Sequence, residues 1–88
     1  MATQPDKNWF VYVLRCADGS LYTGITTNLN RRCRQHNAGT ASRYTRCRRP
    51  TLLVYSEQAG SRSMALKREA AIKCMTRRQK ESLIRLAG

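Results

Sequence analysis

Five side chains in this sequence could between them hydrolyse a phosphate ester: Tyr12, Tyr22, Arg32, His36 and Glu69. Breaking such a bond needs a base for the attacking water and positive charge on the phosphoryl oxygens. It commonly also needs a metal ion at the leaving oxygen. Arg32 suits the second task, because its planar fork matches two phosphate oxygens and its charge does not depend on pH. His36, the only histidine, follows four residues later, so both project from one helix face. Nearby cations would push its pKa below about 6.5 and leave a neutral imidazole able to accept a proton. Glu69 lies among Lys67, Arg68 and Lys73 and could hold one Mg2+ or Mn2+, with water and phosphate completing the shell. Tyr12 and Tyr22 could position or deprotonate water if a cationic site lowers their pKa of about 10.

Each residue also has a plain structural reading. Tyrosines fill strands. A histidine beside Asn37 and Gly39 can bond the carbonyls at a helix end. Glu69 can pair with Lys73 one turn on, a contact of about 0.3–0.5 kcal/mol when exposed. Most of the 13 arginines can serve general attraction to phosphate.

The elements that must position these residues are readable. Trp9 to Cys16 is aromatic and β-branched, and Leu21 to Thr26 returns as a second strand. Between them, a two-residue Asp18-Gly19 turn would pair positions summing to 37 and put the tyrosines on opposite faces. A three-residue Ala17-Asp18-Gly19 loop shifts the sum to 36 and puts both on one face. The second is expected, because Gly19 takes a positive φ at little cost. Gly24, inside a strand, suggests a bulge or a close approach by another group. Asn28 caps a helix to about Asn37, with Leu29, Cys33 and His36 on one side and Gly39 as the stop. Residues 40–50 read as a basic loop around Tyr44, and Thr51 to Ser56 as a third strand apolar enough to be central. A second helix runs from Ser61 or Ser63 to about Cys74, with Met64, Leu66, Ala70, Ala71 and Ile72 as its apolar side. Thr76-x-x-Gln79 is a capping box opening a third helix whose Leu83, Ile84 and Leu86 face inward. The expected fold is α+β: a small three-stranded antiparallel sheet flanked by helices, in the order β-β-α-β-α-α.

Eighty-eight residues suffice for one core, expected over residues 9–86, after a polar, frayed segment 1–8. The formal net charge of +12 points to a polyanionic partner, nucleic acid first. Arg31, Arg34, Arg43, Arg46, Arg48, Arg49 and Lys73 are the expected backbone contacts. No apolar run is long enough to span a bilayer, and the N-terminus lacks a signal-peptide core, so a soluble cytoplasmic protein with no membrane partner is expected. The four cysteines are expected to be reduced, with Cys16 and Cys74 as small core residues. Cys33-x-x-His36 is only half a zinc site.

The ordered set resembles the GIY-YIG nuclease family, most closely its short, single-domain bacterial members. Phe10-Val11-Tyr12 corresponds to the first motif half and matches at the tyrosine. Tyr22-Thr23-Gly24 corresponds to the second and matches at the tyrosine and glycine. Val11 and Thr23 replace the isoleucines of the two halves. Arg32 falls eight residues beyond Gly24, at the position of the family's catalytic arginine. His36 falls where many members have histidine or tyrosine, and Glu69 where the metal-binding glutamate is expected. The resemblance spans residues 9 to about 84. It implies a divalent-metal-dependent endonuclease acting on DNA, RNA being an open alternative, in repair or recombination and without a small-molecule cofactor. In it Tyr12 would be or activate the base, assisted by His36. Arg32 would stabilise the pentavalent phosphate, Glu69 would hold the cation, and Tyr22 would order the site. Many members carry an asparagine after the glutamate. This chain has none beyond Asn37, and Thr76 or Gln79 are the candidates to replace it. Two other readings stand beside this one: a nucleic-acid-binding module with little catalysis, and an accessory subunit docked on a larger repair protein.

Overall fold

The computed structural model describes residues 8–87. Strand β1 (Trp9–Arg15) pairs with β2 (Leu21–Thr26) and β3 (Leu52–Ala59), both antiparallel, in the order β2-β1-β3. Helix α1 (Leu29–Ala38) and a single-turn helix α2 (Arg43–Arg46) lie between β2 and β3; α3 (Arg62–Lys73) and α4 (Arg77–Ala87) follow. The expected fraying of residues 1–8 falls outside the described residues except at Asn8, whose Oδ1 accepts from Gln58 Nε2 at 3.3 Å. Among the described residues, no helix is long and apolar enough to cross a membrane.

The hairpin has the three-residue loop. Tyr12 pairs with Gly24 and Arg15 with Leu21, and Gly19 has φ +86°. Asp18 Oδ1 accepts from the Ser20 amide and hydroxyl, which holds the turn shut. This register sorts the side chains. Val11 and Val13 point into a core completed by Ala59, Ala65 and Ile72, with Ile25, Tyr55, Leu83 and Ile84 packed around it. Tyr12 and Tyr22 point away from that core.

Three of the helices start at a capping side chain. Asn28, Ser61 and Ser42 each accept from the amide three residues on. Gly39, at φ +84°, closes α1. The Thr76 amide donates to Gln79 Oε1 at 2.9 Å, and the Gln79 amide donates to Thr76 Oγ1 at 3.1 Å, completing the box. Both side chains are thereby engaged at the start of α4. Arg15 holds Glu81 through two bonds of 2.8 and 2.9 Å, and Arg77 adds a third. These guanidinium bonds press the Glu81 carboxyl down to about 2 and tie α4 to β1 and the hairpin.

Four expectations are corrected. β3 is an edge strand and β1 is central; the apolar Leu52 and Leu53 are exposed. Residues 40–50 are not all loop, since Ser42 caps α2. On α3 only Ala65 and Ile72 are buried, while Met64, Leu66, Ala70 and Ala71 are exposed, because so small a sheet covers one narrow stripe. Leu86 is 85% exposed, and Cys74 is exposed where Cys16 is buried, because both turn away from the core that contains Ile72 and that Met75, Leu83 and Ile84 pack against.

Candidate functional site

Gly24 is where the site begins. A Cβ built on it would lie 2.5 Å from Tyr12 Oη and 2.7 Å from its Cζ. The Tyr12 ring therefore lies flat across the β2 backbone, which only a residue without a side chain allows. The phenol reaches His36 on α1, with Oη 2.8 Å from Nε2. Tyr22 completes the cluster, its ring centroid 6.5 Å from Tyr12 and 5.2 Å from His36.

His36 is 1% exposed, although it sits in the last turn of a helix. Its side chain does not bond the helix-end carbonyls. Nδ1 lies 2.7 Å from Thr45 Oγ1, and Thr45 is fully buried. Thr45 in turn lies 3.0 Å from Ser42 Oγ. The one-turn α2 therefore places a hydroxyl against the second imidazole nitrogen. Residue type and spacing do not single out Thr45. The available signal was Ser42 three residues before it, an N-cap pattern without apolar periodicity.

Burial first, and the Arg32 guanidinium second, push His36 below its ordinary pKa. Neighbouring cations, which the sequence alone suggests as the cause, are thus the smaller of the two contributions. Tyr12 is pushed well above 10, first by burial and then by Tyr22. Arg32 opposes this, while Cys33 and Glu69 add to it. Both Arg32 and Glu69 thus lie within electrostatic reach of the Tyr12 hydroxyl. The resting site holds a phenol and a neutral imidazole, an arrangement in which Tyr12 can donate to Nε2 while Nδ1–H donates to Thr45.

These shifts set a pH window for stability. Unfolded His36 binds a proton more readily than the folded one, so stability is full above about 6.5 and falls as pH drops toward the folded pKa. Unfolded Tyr12 ionises more readily than the folded one, so stability falls again as pH rises above about 10. The melting temperature is expected to be flat from about pH 6.5 to about 8.5, where the unfolded Cys33 thiol, pushed up by burial in the folded protein, begins to ionise. The loss from pH 6.5 to 5 belongs to His36, the only histidine, and is expected to vanish in His36→Gln. A decline of equal size in that variant would contradict the assignment.

Glu69 presents a largely buried carboxylate on α3, a helix that packs across β1 and β2. Its ion-pair partner is the exposed Lys73 at 3.4 Å. Among the described residues, no three His, Cys, Asp or Glu side chains come together as a metal site. A single carboxylate with so loose a partner fits a hard ion such as Mg2+, which keeps most of its shell as water and phosphate oxygens. It does not fit zinc, which needs three or four protein ligands; both nitrogens of His36 are already engaged.

The basic residues divide. Among the described residues, no carboxylate lies within ion-pair distance of Arg31, Arg32, Arg34, Arg43, Arg46 or Arg49. Lys73 pairs with Glu69, and Arg48 pairs with Asp18 at 3.0 Å. Those two, expected to be free for phosphate, are therefore at least partly occupied.

The family model described as "GIY-YIG catalytic domain" matches residues 8–82. A UPF0213 protein of Desulfotalea psychrophila is 54% identical over 78 residues, covering 88% of this chain and 71% of that protein. A UPF0213 protein of Staphylococcus haemolyticus is 49% identical, covering 85% and 92%. The solution NMR structure of a UPF0213 protein of Bacillus halodurans is 43% identical with a TM-score of 0.61, covering 92% of this chain and 86% of that one. That of a protein from E. faecalis is 42% identical with a TM-score of 0.62, covering 98% and 90%. None of these names states an activity. The chain belongs to the GIY-YIG family, whose shared catalytic domain implies an endonuclease-type function.

Proposed function

We propose that this protein is a divalent-metal-dependent endonuclease that hydrolyses phosphodiester bonds in DNA, in the cytoplasm and in repair or recombination, with residues 9–86 as its one nuclease domain. The observation that carries this reading is the Tyr12–His36 hydrogen bond over Gly24, with Tyr22 beside it and Arg32 and Glu69 in electrostatic reach.

The proton has a path. Ordinary tyrosine and histidine pKa values near 10 and 6.5 make a tyrosinate–imidazolium pair about 5 kcal/mol uphill, and both shifts here widen that gap. A free tyrosinate is therefore not the resting base. Instead, a water bound at Tyr12 Oη passes its proton to that oxygen as the phenolic proton moves to His36 Nε2. The water oxygen bonds to phosphorus while the bond to the leaving oxygen breaks, and that oxygen takes a proton from solvent. Thr45 holds the imidazole in the tautomer that accepts at Nε2. Arg32 grips the equatorial phosphoryl oxygens, and Tyr22 orders the rings. Glu69 is the residue that would hold the cation. When bound, a hard divalent ion supplies Lewis-acid stabilisation of the phosphoryl and leaving oxygens.

The test is cleavage of branched, nicked, single-stranded and duplex DNA, and of RNA, with Mg2+ or Mn2+ and with chelator. Metal-dependent nicking of DNA is the expected result. Binding without cleavage under every condition would return the protein to the class of nucleic-acid-binding modules.

The unpaired arginines predict a strong salt dependence. The logarithm of affinity for duplex DNA is expected to fall linearly with the logarithm of salt concentration. Arg31→Ala and Arg34→Ala should each flatten that slope by about one. An affinity indifferent to salt would show that this surface is not the contact.

A further inference from the structure

Beyond the hydrolytic cluster, a planar series leads from it to the surface. Tyr22 stacks on Tyr44 with centroids 5.8 Å apart and planes 28° apart. The Arg48 guanidinium lies 3.9 Å from the Tyr44 centroid. Arg48 is held along its edges, with Nε donating to Asp18 Oδ2 at 3.0 Å and Nη1 donating to the Tyr44 carbonyl at 2.9 Å. Its plane is therefore fixed before any ligand arrives. Tyr44 nevertheless stays 38% exposed and Arg48 about a third exposed. Close by, Arg43 and Arg46 line an open hollow with Gly39 and Ser42.

Tyr44 stays partly open although it is stacked, and Arg48 lies flat against it instead of extending into solvent. An exposed aromatic–guanidinium layer flanked by cations that have no carboxylate partner among the described residues matches how proteins receive single-stranded nucleic acid. Each unpaired base offers a face to stack, and the backbone follows the positive charge. A base inside a duplex has both faces covered and cannot use such a seat.

We propose that Tyr44 and Arg48 seat one unpaired nucleobase beside the hydrolytic cluster, so that the preferred substrate is single-stranded DNA or the splayed strand of a branch. The choice of DNA rests on the endonuclease reading; the seat itself is tested by binding alone.

The experiment compares fluorescence anisotropy of a labelled oligothymidylate with that of a duplex carrying the same number of phosphates, in chelator so that nothing is cut. Wild-type protein is expected to favour the single strand. Tyr44→Leu keeps apolar bulk but removes the aromatic ring on which the Arg48 guanidinium lies. It should weaken single-strand binding roughly 5- to 150-fold and leave duplex binding unchanged, while Tyr44→Phe should retain the preference. Arg48→Gln, which leaves the Tyr44–Tyr22 stack in place, should lose the same preference in part. It decides the matter if Tyr44→Leu fails to fold by thermal melting. Equal affinity of the wild type for both probes, or an equal loss on both in these variants, would overturn the seat. Wild-type cleavage assayed in parallel separates the two readings. Selectivity without cleavage sinks the nuclease and leaves the seat, and cleavage without selectivity does the reverse.

Discussion

Arg32→Ala and Glu69→Ala are each expected to lower DNA cleavage by about 10²–10³-fold while the protein stays folded. For Arg32 the magnitude is that of removing one pre-placed donor from an oxyanion site. For Glu69 it follows from the several kcal/mol that a Lewis acid supplies to phosphoryl chemistry. Neither change strikes the core. Arg32 has no carboxylate partner among the described residues. The Glu69–Lys73 pair is an i,i+4 contact to an exposed lysine, worth no more than about 0.5 kcal/mol. Lys73→Ala removes that pair from the other side and is expected to keep cleavage. Single-turnover rates read beside melting temperatures check all three. Nicking that survives both Arg32→Ala and Glu69→Ala would place the chemistry elsewhere or in a contaminant.

Gly24→Ala should be at least as damaging, although glycine has no functional group. One methyl placed 2.5 Å from Tyr12 Oη and 3.1 Å from its Cε2 cannot coexist with the phenol, and the backbone beneath it is part of the β1–β2 ladder. Tyr12 must swing away, so its bond to His36 breaks and a buried imidazole nitrogen loses its partner. Overpacking of this kind costs about 1–3 kcal/mol of stability. Losing the aligned base costs a further 10²–10⁴-fold in rate. Tyr12→Phe separates the two effects, since it should lose the rate while introducing no clash and lowering stability less. If Gly24→Ala cleaved at the wild-type rate, the Tyr12 hydroxyl would not be the group that meets water.

The hairpin register was legible before any coordinates. A three-residue loop with Gly19 at positive φ leaves one way to pair the strands, and that pairing alone puts Tyr12 and Tyr22 on a common face and Tyr12 over Gly24. The cap at Asn28 and the Thr76–Gln79 box were legible for the same reason, and the start of α3 was narrowed to Ser61 or Ser63, of which Ser61 is the cap. Each is a bond between neighbours in sequence, so its energy is present whatever the rest of the chain does.

Thr45 was not legible. A threonine among arginines carries no periodic signal, and its burial comes from a bond to His36, nine residues away in the chain. The stack of Tyr22, Tyr44 and Arg48 was hidden for a similar reason, because Asp18 in the hairpin loop reaches thirty residues along the chain to pin the guanidinium. Strand order was equally out of reach. Apolar content made β3 look central, yet the central place went to β1, whose two faces are both covered.

Residue types, spacing and local turn chemistry were thus enough for the family resemblance, the hairpin and the helix starts, because those rest on interactions a few residues long. Which hydroxyl meets which imidazole nitrogen, which arginine is pinned and which apolar helix face stays wet depended on packing. Those contacts join segments far apart in sequence, and their free energy exists only once the sheet and helices have closed on one another.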